Sequence, residues 1–146
     1  MEITETTLMN DSELSAKTLN SLRALGINIA VDDFGTGYSS LAYLHRFPLD
    51  SIKIDKSFVQ HMIVDSTSMV IDAIQGLANG LEIHTVAEGI ETVEQLRRVQ
   101  ESGCQFGQGY LFSRAQAPRD VVDSIRNGYA TLINPNPVHT PTVNSL

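Results

Sequence analysis

The chain has 146 residues, which is enough for one domain with a sizeable buried core and too few for two large domains. Asp and Glu (17 residues) outnumber Lys and Arg (10 residues), and the net charge of −7 disfavours adhesion to nucleic acid or anionic lipid. The single cysteine, Cys104, excludes an internal disulfide framework and agrees with a reducing compartment. The chain opens without the basic and apolar regions of a signal peptide, so we expect a cytoplasmic location, although a full-length parent protein would allow membrane attachment.

Short apolar runs alternate with segments of helical period, a pattern typical of βα units and a parallel sheet. The first helix between strands places Leu14, Leu22 and Leu25 on one face and ends before Gly26. The predicted strands are, in chain order, residues 1–4, 27–31, 51–54, 83–87 and 104–106.

Three further helices follow from apolar period and end signals. Thr92 and Gln95 form a capping-box pattern that opens one helix, and Gly103 closes it. Pro118 suits the first turn of another helix, in which we expect Val121, Val122 and Ile125 to face inward. The helix before these ends at a glycine, Gly80, and its apolar stripe consists of Met69, Val70, Ala73, Ile74 and Leu77.

The composition changes near residue 127. From that point on, Tyr129 and His139 are the only titratable side chains, and the Pro-rich stretch that follows has no apolar period. We therefore expect a domain over residues 1–130 and a flexible tail over residues 131–146.

Polar side chains stand where each predicted strand ends. Parallel βα sheets place their ligand sites at these carboxyl ends, and carboxylates that converge there repel one another unless a cation intervenes. Oxygen ligands without His or Cys favour Mg²⁺ or Mn²⁺, and adjacent acids could serve two ions that clamp a phosphoryl displacement. Lys53 could orient a water or neutralise a phosphate oxygen. The polar residues are Glu2, Glu5, Asp32, Asp33, Lys53, Asp55, Glu88, Glu91 and Gln108.

Structural roles compete with these functional ones. Asp33 or Asp55 alone is more often a turn former or a helix cap than a ligand. Lys53 faces either solvent at a sheet edge or a polar barrel mouth. The glycine-rich segment around Gly35 and Gly37 is either a phosphate-binding loop or a mobile lid beside the acids. The sequence has no basic stripe with interleaved aromatics, so we expect no direct binding of DNA or RNA.

Five linked motifs resemble, in order and spacing, the carboxyl-terminal half of an EAL domain. They are MEITE from Met1, DDFGTGYSSL from Asp32, SIKIDKSFV from Ser51, VAEGIET from Val86 and GQGYLFSR from Gly107. The resemblance covers the chain from its start to about Tyr129. It implies an α/β fold that is part of a TIM-like (β/α)₈ barrel, about its last five βα units.

EAL domains are bacterial cyclic di-GMP phosphodiesterases that use two Mg²⁺ or Mn²⁺ ions to produce the linear dinucleotide pGpG. The resemblance implies a catalytic role for Lys53, which would contact the nucleophilic water, and for Glu88, which would act as base or metal ligand. It further implies that Gln108 lies near the substrate and that Glu91 supports its own strand end. Metal binding would fall to Glu2, Asp32, Asp33 and Glu88, and Glu5 would brace the loop that contains Gly35, Thr36 and Gly37.

The chain departs from the family pattern at its start. The Glu-Ala-Leu segment, an early Asn ligand and the Arg that usually follows are absent, so the resemblance implies a truncated domain whose activity alone is expected to be low. Two alternatives stay open, a non-catalytic cyclic di-GMP-binding signalling module and an inactive remnant. Expected partners are cyclic di-GMP, upstream sensory or diguanylate cyclase domains in a full-length parent, and a second copy in a homodimer.

Overall fold

The structure is a computed structural model that describes residues 1–10, 12–36, 44–62, 68–118 and 120–122. The chain divides into two units, Met1–Leu111 and Phe112–Leu146. The first unit contains the whole described sheet and the helices around it. The predicted tail over residues 131–146 lies outside the described residues, so the proposed domain boundary stays a prediction.

The first unit is built on one five-stranded sheet in which the strand order follows the chain order. Every neighbouring pair of strands is parallel, which confirms the predicted α/β class. The strands are β1 Glu2–Thr4, β2 Ala30–Phe34, β3 Ser51–Ile54, β4 His84–Ala87 and β5 Phe106–Gly107.

The helices lie between the strands, and several of their predicted ends are confirmed. Gly26 follows one helix at φ 79°, and Gly103 follows another at φ 86°, the left-handed conformation that suits a glycine after a helix. The capping box of Thr92 and Gln95 is formed in both directions. The helices are α1 Glu5–Asn10, α2 Ser12–Ala24, α3 Lys56–His61, α4 Ser68–Leu81 and α5 Val93–Glu101, of which α1 and α3 were not predicted.

The two faces of the sheet have different chemistry. Ile52, Ile54 and Ala87 are fully buried on the side against which α4 packs. Thr85 lies on the same side, and its hydroxyl donates a hydrogen bond of 2.6 Å to Oε1 of Gln75 in α4. Because side chains alternate along a strand, Lys53, between Ile52 and Ile54, points to the opposite face.

The predicted inward face of α2 is wrong. Leu14 and Leu25 are 61% and 77% exposed, whereas Leu19 and Leu8 are fully buried. The reason is α1, which packs against β1, β2 and α2, so that α2 turns the side with Leu19 inward.

The predicted stripe of α4 is partly wrong. Met69 is 69% exposed and Ala73 is exposed, while Ile74 is buried with Ile71 and Ala78. A polar residue, Gln75, shares this buried side because Thr85 satisfies it, so counting apolar residues could not locate the face. Gly80 lies inside the helix and does not end it.

Two strands lie later in the chain than predicted. β2 is Ala30–Phe34 and not 27–31, and β5 is Phe106–Gly107 and not 104–106. Backbone pairing sets these bounds, since Ala30 pairs with the first residue of β1, whereas the apolar run had suggested an earlier start. Asp32 and Asp33 therefore lie inside β2 and do not follow it.

The described part of the second unit contains a helical turn at residues 118–122, apart from residue 119. Val121 and Val122 are exposed there, contrary to the prediction that they face inward.

Candidate functional site

Lys53 is the centre of a charged cluster on the polar face of the sheet. Its Nζ atom lies 3.0 Å from Oε1 of Glu2, 2.9 Å from Oδ1 of Asp32 and 2.8 Å from Oε1 of Glu88. The partners come from β1, from β2 and from the residue after β4, so one ammonium contacts acids from three separate segments. The side chain of Lys53 is only 11% exposed.

The charge of Lys53 is stabilised by these contacts. Burial by itself lowers the pKa of the ammonium, but the hydrogen bonds to Glu88, Asp32 and Glu2 more than offset this effect. The pKa of Lys53 therefore lies well above its ordinary value, and the side chain is a permanent cation at physiological pH.

Three carboxylates form a group that could hold a metal ion. One oxygen from each of Asp32, Asp33 and Glu88 lies within 4.8 Å of the others. The donor set consists of hard carboxylate oxygens, which suits Mg²⁺ or Mn²⁺ and does not suit a thiolate-preferring metal. Glu2 is outside this group and reaches Lys53 instead.

The backbone at Asp33 has an unusual conformation that brings the two adjacent acids to the same site. Asp33 has φ 53°, a left-handed conformation that a non-glycine residue seldom adopts, and the register with β3 shifts at the same point. Neighbouring residues of a regular strand point to opposite faces, so this irregularity is what allows Asp33 to join Asp32 beside Glu88.

The turn after Asp33 is tied to a buried acid. Glu5 is 3% exposed, and its Oε2 accepts a hydrogen bond of 3.0 Å from the N–H of Gly35. The hydroxyl of Thr36 donates to the carbonyl of Asp33 at 2.8 Å. Glu5 thus contacts the loop that it was expected to brace, and Gly37 lies outside the described residues.

A cavity of about 260 Å³ opens beside the carboxylates. Gln108, Glu88 and Glu91 line it, which brings three of the predicted site residues to one wall. The sequence interpretation missed Lys56, Gln60 and Tyr110, which also line it together with Gly89 and Gly109. Lys56 lies two residues after the end of β3, and Tyr110 belongs to the quoted GQGY run, so position relative to a strand end or a motif could have identified both.

Two glycines allow the segments around this cavity to pack closely together. A Cβ atom on Gly109 would lie 2.0 Å from the carbonyl oxygen of Ile90, and one on Gly89, at φ 71°, would lie 2.5 Å from Cβ of Lys56. The N–H of Ile90 donates to the carbonyl of Gln108 at 3.1 Å. The loops after β4 and β5 are therefore in direct backbone contact, and the loop after β4 packs closely against Lys56 at the start of α3.

Asp55 has the structural role that competed with metal binding. It is the N-cap of α3, and its Oδ1 accepts hydrogen bonds from the N–H and the hydroxyl of Ser57. The carboxylate is thereby occupied at the start of a helix and is not part of the metal-ligand group.

Fold and site together define an α/β protein in which three carboxylates that could hold a hard cation lie near the carboxyl ends of two parallel strands. The model of the EAL domain family matches residues 1–115. The chain belongs to the EAL domain family.

Named relatives agree with this assignment. The chain is 47% identical over 115 residues to the cyclic di-GMP phosphodiesterase NbdA of Pseudomonas aeruginosa, a match over 78% of this chain and 15% of NbdA. It resembles a solved complex of the phosphodiesterase PaMucR with c-di-GMP (TM-score 0.80, 40% identity, 82% of this chain and 49% of that one). It also resembles BlrP1 of Klebsiella pneumoniae in a complex with manganese and cyclic di-GMP (TM-score 0.71, 38% identity, 77% and 29%).

These likenesses confirm the fold prediction, part of a TIM-like (β/α)₈ barrel. The chain spans only about a sixth of the length of three curated relatives that it matches, and 15% of the length of NbdA. No helix in the described ranges combines the length and the apolar character needed to cross a membrane.

Proposed function

We propose that this chain carries the metal-binding part of a phosphodiesterase that hydrolyses cyclic di-GMP to linear pGpG. The observation that supports the proposal best is the convergence of Asp32, Asp33 and Glu88 beside Lys53, in a chain whose relatives include named cyclic di-GMP phosphodiesterases. In the reaction, water adds to phosphorus, the P–O3′ bond breaks, and the 3′-oxygen takes up a proton.

Glu2, Asp32, Asp33 and Glu88 would hold the Mg²⁺ or Mn²⁺ ions. Such ions, when bound, polarise the phosphodiester and lower the pKa of a bound water. Two ions are proposed because Asp32 and Asp33 are adjacent in the chain and both reach Glu88. Glu5, through Gly35, would fix the loop that follows these two aspartates.

The remaining roles belong to side chains that face the same space. Lys53 would contact the nucleophilic water, because its ammonium lies between the proposed ligands and is permanently charged. Glu88 would complete a metal site or accept the proton of the water. Gln108 lines the cavity beside Glu88 and would contact the substrate, and Glu91 would support its strand end from the same wall.

A chimaera tests the proposal without depending on how the chain begins. Residues 1–115 replace the aligned segment of the PaMucR phosphodiesterase, and the linear product is measured by chromatography with Mg²⁺ present. We expect turnover, and we expect Asp32→Ala to lower it by about a hundredfold or more, since a lost ligand removes several kcal/mol of charge stabilisation. The control is Asp72→Ala, the same change at an exposed position of α4, which should keep the turnover. A folded chimaera without turnover, or one indifferent to Asp32→Ala, contradicts the proposal.

The two alternatives make different predictions for the 146-residue chain itself. We expect little or no hydrolysis by this chain alone. A binding module would hold cyclic di-GMP without metal and without turnover in calorimetry, whereas a remnant would lack a cooperative melt in circular dichroism. The cytoplasmic location, the upstream domains and the homodimer remain predictions.

A further inference from the structure

The ammonium of Lys53 and the proposed metal ions use the same carboxylates. Asp32 and Glu88 belong to the three-carboxylate group, and both also contact Nζ of Lys53, at 2.9 and 2.8 Å. We infer that Lys53 is the internal counter-cation of the metal-free site and that a divalent ion binds by displacing its ammonium from Asp32 and Glu88. The inference rests on the metal site of the proposed function.

Electrostatics requires a cation in this place. Carboxylate oxygens of Asp32, Asp33 and Glu88 lie within 4.8 Å of one another, and like charges this close raise the free energy of the folded chain. Glu2 adds a fourth acid that reaches the same ammonium. Lys53 contacts three of these four acids, Glu2, Asp32 and Glu88. Its ammonium compensates one charge and ties β1, β2 and the loop after β4 to β3, so the carboxylates are gathered before any metal arrives.

Geometry makes the two cations competitors. The carboxylate oxygens stand 2.8 to 3.0 Å from Nζ, as an ammonium hydrogen bond requires, whereas Mg²⁺ holds its oxygen ligands at about 2.0–2.1 Å. The acids must therefore move closer together around a metal ion. A lysine ammonium within a few ångströms of a divalent ion is also repelled by it.

The exchange would link metal loading to catalysis. While Lys53 is bound to three carboxylates, its N–H groups are occupied and cannot contact a water. Displacement frees the ammonium for the water contact proposed above, so Lys53 becomes available only when the site is loaded.

The first test measures Mn²⁺ affinity by calorimetry on the 146-residue chain and on Lys53→Met, which keeps the stem and removes the charge. We expect Lys53→Met to bind Mn²⁺ about tenfold more tightly, because the competing cation is gone. Lys17→Met is the matched control, since it breaks an exposed pair with Glu13, and it should bind as the wild type does. A purely structural role for Lys53 predicts weaker binding, and equal or weaker binding by Lys53→Met overturns the inference.

The second test uses the unaltered chain, in case Lys53→Met does not fold. Hydrogen exchange of the Lys53 ammonium protons is followed by NMR as Mg²⁺ is added. We expect the exchange to become faster when the ion pairs open, and unchanged or slower exchange overturns the inference. If the chimaera turns over and Lys53→Met binds Mn²⁺ with unaltered affinity, only the inference is contradicted. If neither the wild-type chain nor Lys53→Met binds Mn²⁺, the proposed function is contradicted as well.

Discussion

The stability that Asp55 gives to the start of α3 depends on pH. Burial tends to raise the pKa of its carboxyl group, but hydrogen bonds from the hydroxyl and N–H of Ser57 and from the N–H of Lys56 lower it below the ordinary value of 3.8. A lowered folded-state pKa contributes stability that is present above the unfolded-state pKa and is lost as the pH falls through the folded-state value. The contribution of Asp55 is therefore complete at neutral pH.

Replacing Asp55 by Ala should lower the free energy of unfolding by about 1 kcal/mol at pH 7, the usual cost of a lost N-cap. Asp55→Asn should keep most of the cap, and the advantage of the wild type over it should start to decrease as the pH falls below about 4. Urea unfolding between pH 3 and pH 7 measures both effects. Asp72→Asn, at an exposed position of α4, should show no comparable trend, and a constant difference between wild type and Asp55→Asn across this range contradicts the prediction.

Asp55 also shows how far the role of a carboxylate near a strand end can be predicted from sequence. Asp55 and Asp33 both offered a carboxylate near a strand end, with ligand and turn former as competing roles. Asp55 caps a helix because Ser57 follows at capping distance, whereas Asp33 joins the metal-ligand group through a left-handed backbone and a register shift. That shift depends on pairing with β3, which a local pattern does not contain. The contact of Glu2 with Lys53 likewise depends on strand register.

At the scale of elements, the loop after β4 is held by the loop after β5. Gly109 lies against the backbone of Ile90. In Gly109→Ala the added Cβ would clash with backbone atoms of Ile90, which cannot rotate away as a side chain can, so the two loops would be forced apart. We expect a loss of about 2 kcal/mol or more in the free energy of unfolding, typical of severe overpacking. We also expect weaker Mn²⁺ binding, since Glu88 lies in the displaced loop.

Gly76→Ala is the matched control for this substitution. Gly76 is inside α4, and a Cβ there would meet nothing within 4 Å. The variant should be more stable by about 1 kcal/mol, the difference in helix propensity between Ala and Gly. Thermal melts and calorimetry on both variants check the pair, and a Gly109→Ala chain that melts and binds Mn²⁺ as the wild type does contradicts the interlocked loops.

Elements could be predicted from sequence where a local signal decides them. The bounds of β3 match the prediction because polar and apolar residues alternate through it, as in a strand with two different faces, and the capping box of Thr92 fixes the start of α5. The predicted start of β2 was too early, because pairing with β1 sets where the strand begins. The predicted buried faces of α2 and α4 were partly wrong, because the elements that pack against each helix determine which of its sides is buried. The short helices α1 and α3 span 6 residues each, too few for an apolar period to emerge.

At the scale of the whole chain, negative charge is in excess, and part of it is gathered around Lys53. The net charge is −7, and three of the four proposed ligands, Glu2, Asp32 and Glu88, share this one lysine. A chain that gathers carboxylates from separate segments gains stability from any ion that binds the folded state and not the unfolded one. The fold and the metal site should therefore be thermodynamically linked.

Mn²⁺ at a hundred times its Kd should raise the free energy of unfolding by about 2.7 kcal/mol. Asp32→Asn should abolish most of this gain, because Asp32 is shared by the metal-ligand group and by Lys53. NaCl at matched ionic strength is the control for general screening, which acts on all exposed charges. It should change the free energy of unfolding of the wild type and of Asp32→Asn by the same amount. Urea unfolding followed by circular dichroism, with EDTA as the metal-free reference, measures the difference. An equal gain in wild type and Asp32→Asn would place the binding ion elsewhere, because only the site at the ends of β2 and β4 loses a ligand in that variant.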